Sequence, residues 1–373
     1  MAFSFWEDQT YLQGHDAVVI GAGIVGLSAA CRLAELHPRW RIGVFEKSAF
    51  GDGGTTRNAG FACFGSPAEL LEDRRDLGDA AALELVRQRL DGLQTLRAWL
   101  GDAAIGYVPC GSHALYLPDG SGMSPVALEA LRDLNAWVAP VTGSAETFRR
   151  ERVSGGRGLA ADLVADASPL EGAVDTGRLH RALLEKARGH GIEVVRGVEV
   201  RRLTAGEPVE LVVRRGSEGE RTVHAPKCLV ATNAFARELV PEADARPAAN
   251  RVLVTAKGAA PAAEGTYHLE AGYVYARHLP DGRLLIGGGR HWGLDEAGTD
   301  ARLRAWLGRL WPGAAGVPVE YAWTGLLGVG AVREPWLKAV GPGTVAAVRL
   351  GGMGVAIGAG LGRKAAELLA KSR

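Results

Sequence analysis

The chain has 373 residues, 47% of them apolar and 23% charged, ordinary globular usage that excludes an extended disordered protein. Its 43 Lys and Arg against 42 Asp and Glu leave a net charge of +1, which excludes the basic footprint of a nucleic-acid-binding protein. Glycine is the outlier at 52 residues, well above usual practice, yet there is no Gly-X-Y period and only 17 prolines, so collagen and low-complexity linker are excluded.

The opening stretch, Met1 to Gly14, carries Glu7 and Asp8 and no basic residue, unlike a secretory leader. The apolar run Ala17 to Ala30 is broken by three glycines and is too short for a bilayer span. Ala17 to Ile20 predicts a strand buried on both faces, and Leu27, Ala30, Cys31 and Ala34 then recur at helical spacing. Between them lies Gly21-x-Gly23-x-x-Gly26. The first glycine permits a tight turn, the second lets a pyrophosphate approach the backbone, and the third lets helix and strand pack closely. Ile24 and Val25 open the helix, whose N–H groups and positive dipole end suit phosphate. A second strand, Arg41 to Glu46, ends in an acid 20 residues after Gly26, where a ribose-binding carboxylate is expected, and Lys47 follows it. NAD and FAD both use such a unit. Residues 51–65 are glycine-dense: Thr55 and Thr56 offer hydroxyls to phosphate, Arg57 a planar cation and Gly60, after Asn58 and Ala59, room for a flat ring.

Further along, helices are predicted over Ala80–Leu100 and Val126–Trp137, with short strands around Tyr107 and Tyr116. Asp175 caps an amphipathic helix that leads to a strand and Val198, and Cys228 to Phe235 reads as a strand entering a turn at Thr232. Strands at 251–257, 267–270, 273–277 and 284–288 precede a helix over Asp300–Leu310, which predicts an antiparallel sheet with flanking helices. A strand from Val345, a loop holding Gly352, Met353, Gly354 and Val355, and a helix to Leu369 follow. Cys31, Cys63, Cys110 and Cys228 are widely spaced with no Cys-x-x-Cys, so neither zinc nor a disulfide framework is expected, no metal site is indicated, and a reducing, cytoplasmic setting fits.

Gly21 to Gly26, Glu46 and Thr55 to Gly60 together resemble the FAD-dependent amine and D-amino-acid oxidase family, which includes glycine oxidase, sarcosine oxidase and D-amino-acid dehydrogenases; Ser4-Phe-Trp-Glu7 resembles the lead-in of several members. The resemblance implies an α/β chain: a Rossmann-like FAD-binding domain, discontinuous over residues 1–80, 150–240 and 330–373, and an α+β substrate domain on an antiparallel sheet from 81–149 and 241–329. It implies noncovalent FAD, with the Val198 backbone at the adenine and Thr232 and residues 352–355 towards the rest of the cofactor. Tyr273, Tyr275, Arg290, His291, Trp292 and Trp323 are then candidates for the substrate pocket. The implied reaction is oxidation of the C–N bond of a small amine or amino acid by hydride transfer to flavin N5, with oxygen or another acceptor taking the electrons. A hydroxy-acid dehydrogenase of the same fold, an NAD-dependent dehydrogenase and a flavin-binding subunit without turnover are the rival readings. The sequence departs from the family in carrying Asn233 for a turn glycine, a residue that tolerates left-handed backbone. It also has Leu327, in a turn read at Gly325–Gly328, where relatives place a carboxylate-clamping Arg; Arg290, Arg57 and Arg333 are the substitutes, Arg290 preferred. The strand Arg283 to Gly287 lacks the oxygen-promoting lysine of sarcosine oxidases, and no catalytic base is assigned.

Overall fold

Two ways of burying a strand alternate along this chain, and the computed structural model, which describes residues 3–120, 125–153, 158–261 and 264–372, builds a large sheet from each. In chain order, β1 (Ala17–Ile20) leads into helix α1 (Ile24–Leu36) and β2 (Ile42–Glu46). The glycine-dense stretch holds a helical turn, Gly54–Arg57, and strand β3 (Phe61–Ala62), before helices α2 (Pro67–Leu77) and α3 (Asp79–Leu100). Next come β4 (Ser112–Tyr116), α4 (Leu128–Thr142), β5 (Arg149–Val153), β6 (Leu163–Ser168) and β7 (Gly172–Ala173), then α5 (Thr176–Gly189) and β8 (Glu193–Arg196). A meander of β9 (Glu199–Thr204), β10 (Val209–Arg215) and β11 (Glu218–Ala225) precedes β12 (Lys227–Val230). β13 (Arg246–Thr255), β14 (Thr266–Leu269), β15 (Val274–His278), β16 (Leu284–Gly288), α6 (Glu296–Leu310) and β17 (Val319–Val329) follow, then β18 (Trp336–Gly341), β19 (Thr344–Val348) and α7 (Gly354–Lys371).

The first sheet has the order β18-β19-β12-β1-β2-β8 and is parallel apart from β18. Ala17, Val19 and Val44 point to a core shared with α1, α3, α5 and α7, while Val18, Ile20 and Phe45 point to the β9-β10-β11 meander. Both faces are covered, which is why these strands are near-continuous apolar runs. The second sheet, β17-β13-β16-β15-β14-β4-β6-β5, is antiparallel except where β14 meets β4. Leu253, Tyr267, Ala276 and Ile286 pack one face on Leu303, Trp306 and Leu307 of α6. Its other face turns Val252, Val254, Tyr275 and Leu285 to Ala59 and Phe61. Residues 57–65 therefore lie where the two sheets meet. No helix among the described residues is long and apolar enough to cross a membrane.

The α/β class, with one parallel and one antiparallel sheet, is the one the sequence implies. Two stretches pair otherwise than in the expected division of the chain. β5 and β6, placed with the nucleotide-binding half, hydrogen-bond through β4 into the antiparallel sheet, with Ser168 opposite Ser112. α3, placed with the substrate half, sends Leu85, Leu93 and Leu96 into the core beneath the parallel sheet. Gly325–Gly328 is no turn but continues β17, with Leu327 opposite Ala248.

Glycine brings the helices into backbone contact. A Cβ on Gly92 of α3 would collide with the Ala356 carbonyl oxygen of α7, and one on Gly362 of α7 would collide with the Val25 carbonyl oxygen of α1. Helix propensity alone makes Gly92→Ala stabilising by roughly 1 kcal/mol. Close packing reverses the sign, so the variant is expected to lose about 1–3 kcal/mol, read as a lower Tm. A raised Tm would show that the two helices are not in backbone contact.

Candidate active site

At the first glycine turn Gly21 has φ +105°, and a Cβ on Gly26 would overlap the Gly21 carbonyl oxygen, so both residues are fixed by backbone geometry. Gly23 caps α1 without a side-chain acceptor, and the Ile24 N–H donates to Thr55 Oγ1 at 2.9 Å; Val25 continues the helix. Glu46 ends β2 with Oε2 accepting the Ala22 N–H and Oε1 the Ser48 N–H, both at 2.8 Å, which leaves lone pairs on each oxygen. The Val198 N–H reaches the Glu46 carbonyl at 3.0 Å, so the expected adenine and ribose neighbours are adjacent. Lys47 instead pairs with Glu199 at 2.7 Å on an exposed surface. Thr232 holds a buried hydroxyl oxygen with no hydrogen-bond partner among the described residues, and Asn233 after it has φ +46°, so the turn survives the loss of glycine.

Within residues 51–65, Thr56 Oγ1 donates to the Gly51 carbonyl, and Asn58 closes a turn. Its Nδ2 donates to the Gly54 and Thr55 carbonyls at 2.9 and 2.8 Å while Oδ1 accepts the Gly60 N–H at 2.7 Å. Ala59 is buried, and Gly60 has φ +74°. Arg57 donates to the Thr324 carbonyl at 3.4 Å, and Trp323 Nε1 donates to the Arg57 carbonyl at 3.0 Å, which binds this segment to β17. Cys63 Sγ lies 3.9 Å from Met353 Sδ, joining the segment to the C-terminal glycine loop. Met353 caps α7 without a side-chain acceptor, Gly354 and Val355 open the helix, and a Cβ on Gly351 or Gly352 would meet open space. Two helix N-termini whose own N-cap residues supply no side-chain acceptor, a buried hydroxyl lacking a partner among the described residues and clear space above Gly352 fit an extended anionic dinucleotide that carries a flat ring.

The facing side of the antiparallel sheet is polar at its centre. Tyr275 meets Phe61 edge-on at 5.5 Å between ring centres, and Phe61 meets His268 in the same manner at 5.1 Å. Asn250 lies against the Tyr275 hydroxyl. Asn250 Oδ1 and His268 Nε2 are buried atoms with no hydrogen-bond partner among the described residues. Burial pushes the Tyr275 phenol up to about 12 and holds His268 below the ordinary histidine range, so both rings are neutral near pH 7. Arg277, two residues along the strand from Tyr275, donates to the carbonyls of Gly60 and Val174 at 2.8 and 2.9 Å. Asn250, His268 and Arg277 were not legible as site residues. The available signal was a single polar residue among apolar ones at the inward positions of these strands, as with Asn250 before Val252 and Val254.

The other pocket candidates separate. Trp323 reaches the 51–65 segment, whereas Arg290 lies over the Tyr273 ring at 4.4 Å and His291 Nε2 contacts Glu270 Oε2 at 2.6 Å. Trp292 Nε1 donates to the same oxygen at 2.8 Å. Arg333 pairs with Glu72 and Asp73 and is committed there. No group of three His, Cys, Asp or Glu that could hold a metal occurs among the described residues.

The chain matches the family DAO, FAD dependent oxidoreductase, over residues 16–368. It is 24% identical over 369 residues to "Probable oxidoreductase OrdL" of Rhizobium meliloti (strain 1021), covering 95% of this chain and 82% of that protein. Its fold is shared with iminodiacetate oxidase from Chelativorans sp. BNC1, at TM-score 0.74 and 20% identity over 96% of each chain. Glycine oxidase from Bacillus cereus ATCC 14579 superposes at TM-score 0.74 and 18% identity, over 96% of this chain and 98% of that one.

A phenol held near 12 cannot serve as a base. The tyrosinate absorbance that rises between about pH 9 and 11 is therefore expected to be the same in the wild type and in Tyr275→Phe. A titration in which the variant lacks one tyrosinate would overturn the assignment.

Proposed function

Because the chain belongs to the DAO family of FAD-dependent oxidoreductases, we propose that it oxidises the C–N bond of a small amine or amino acid to an imine, with oxygen or another acceptor taking the electrons from the flavin. One observation carries this reading: Asn250 Oδ1 and His268 Nε2, buried and without partners among the described residues, share a sheet face with Tyr275 opposite the Gly60 segment. When bound, FAD supplies the two-electron acceptor for hydride leaving the carbon beside nitrogen. Glu46 would take the ribose hydroxyls, the remaining free N–H groups at the start of α1 would take the pyrophosphate, and residues 352–355 would border the ring. Asn250 Oδ1 accepts an N–H of the substrate nitrogen, and neutral His268 adds no positive charge that would repel an amine. The apolar surroundings of Phe61 and Val252 disfavour the ammonium form, so the substrate nitrogen is held with its lone pair free.

Support for a substrate carboxylate rests on Arg290 and Arg57, since among the described residues Arg333 alone of the three candidates pairs with acids. Arg290 is the better placed of the two, since its guanidinium influences the Tyr275 phenol. A reducing, cytoplasmic setting fits four cysteines none of which forms a disulfide. We divide the chain by its sheets, with the parallel sheet and its helices as the FAD-binding part and the antiparallel sheet with α6 as the substrate part.

Two outcomes follow. Gly23→Ala places a methyl 3.1 Å from Thr55 Oγ1, which the FAD-free protein tolerates, but the methyl fills the pyrophosphate approach. The variant is expected to keep its Tm without FAD and to bind FAD at least ~10-fold more weakly, about 1.4 kcal/mol. Mixed anaerobically with a panel of amines, amino acids and hydroxy acids, the FAD-loaded protein is expected to lose its flavin absorbance with a nitrogen-bearing substrate. Bleaching by hydroxy acids alone would overturn the C–N assignment, and repeating the panel in air separates oxygen from other acceptors.

A further inference from the structure

Glu171 takes no part in the chemistry above, yet it is 1% exposed, at the point where β7, β4 and the 61–65 segment converge. Its partners among the described residues are dipoles rather than cations. Oε1 accepts the Phe64 N–H at 2.6 Å and the Gly65 N–H at 3.1 Å, and Oε2 accepts the Ser112 hydroxyl. The segment it grips is held from the other side by Arg89, which donates to the Phe64 carbonyl at 3.0 Å and pairs with Asp73 at 2.9 Å. Cys63, beside Phe64, is the residue that lies against Met353 of the C-terminal loop.

The surrounding charges do not neutralise this carboxylate. α2 contributes Glu69, which raises its proton affinity, and Asp73, which is shared between Arg89 and Arg333. Tyr107, whose ring borders Gly172, and the Cys63 thiol are both pushed upward by burial, with Glu171 adding to it. Burial, opposed by the three hydrogen bonds, brings Glu171 to about 7.

We propose that Glu171 is a positioning residue of the flavin site that also sets how readily bound FAD is reduced: it fixes the backbone of Phe64 and Gly65, and when ionised it opposes negative charge arriving on the ring. The inference rests on the reading of residues 51–65 as the flavin-facing segment. Geometry and charge separate cleanly at this site. In the protonated form Oε1 still accepts both N–H groups, and Oε2 donates to Ser112 Oγ instead of accepting from it. Titration therefore changes the charge and leaves the anchor intact. A charge without a counterion in a low-dielectric interior acts over many ångströms.

Glu171→Gln reproduces the neutral, hydrogen-bonded state at every pH, and Glu171→Ala leaves both N–H groups unpaired. The test is the midpoint potential of bound FAD, followed spectroscopically from about pH 5.5 to 8.5 in the FAD-loaded wild type and E171Q. The two curves are expected to coincide at the acid end and to separate above neutrality, with E171Q the higher. E171A is expected to bind FAD at least ~10-fold more weakly, as two buried donors lose their acceptor. Parallel curves for wild type and E171Q would overturn the redox role, and unchanged FAD affinity in E171A would overturn the anchoring role. If neither wild type nor variants bound FAD, the reading of the site would fall and this inference with it.

Discussion

A largely buried segment with little regular structure must have its backbone groups satisfied by whatever packs around it, and residues 57–65, buried over most of their length from Ala59 onward, are that segment here. The Arg57 carbonyl takes the Trp323 indole, the Gly60 carbonyl takes Arg277 and the Val174 N–H, and the Gly60 N–H takes Asn58. The Phe64 and Gly65 N–H groups take Glu171, and the Phe64 carbonyl takes Arg89. Most of these donors and acceptors come from outside the segment, from the antiparallel sheet or the strand leading to α5. The loop expected to face the ring is thus shaped by the part of the protein expected to hold the substrate. Neither can shift without the other.

The two grips are electrically opposite. Arg277, 7% exposed, carries a guanidinium that burial pushes below its usual range and that rests on carbonyl dipoles. Glu171 is a carboxyl that burial pushes above its usual range and that rests on N–H dipoles. Backbone dipoles meet each charge in place of a counterion, so the segment spans a positive end at Gly60 and a negative end at Gly65. Between them lie Phe61 and, across it, the neutral pair Tyr275 and His268. Such a field is set by the fold before any ligand enters.

How far the sequence foretold this depends on how local the cause was. β1, the glycine turn, α1 and β2 were legible because strand, turn and helix each leave a pattern within a few residues, and Ala17–Ile20 and Leu284–Gly288 form with the expected ends. The grips were not legible. Arg277 and Gly60 are 217 residues apart, and Phe64 and Glu171 are 107 apart, so no window of sequence contains both partners. Gly325 and Gly328 misled in the opposite direction. They looked like a turn, but each is a site of close approach within a strand, where a Cβ on Gly325 would lie 2.6 Å from the Arg57 carbonyl oxygen and one on Gly328 would collide with Asn233. A glycine that clears room for a neighbour and a glycine that turns the chain have the same letter.

On this reading the glycine turns at residues 21–26 and 351–355 and the irregular segment 57–65 form a single cofactor cradle clamped by the antiparallel sheet. Backbone hydrogen exchange, compared with and without saturating FAD, tests it most directly. Slowed exchange is expected together at residues 21–26, 57–65 and 351–355, with further protection at residues 275–277, which reach the segment through side chains alone. Protection confined to residues 17–46 would contradict it, because the first βαβ unit would then bind a nucleotide without the clamp.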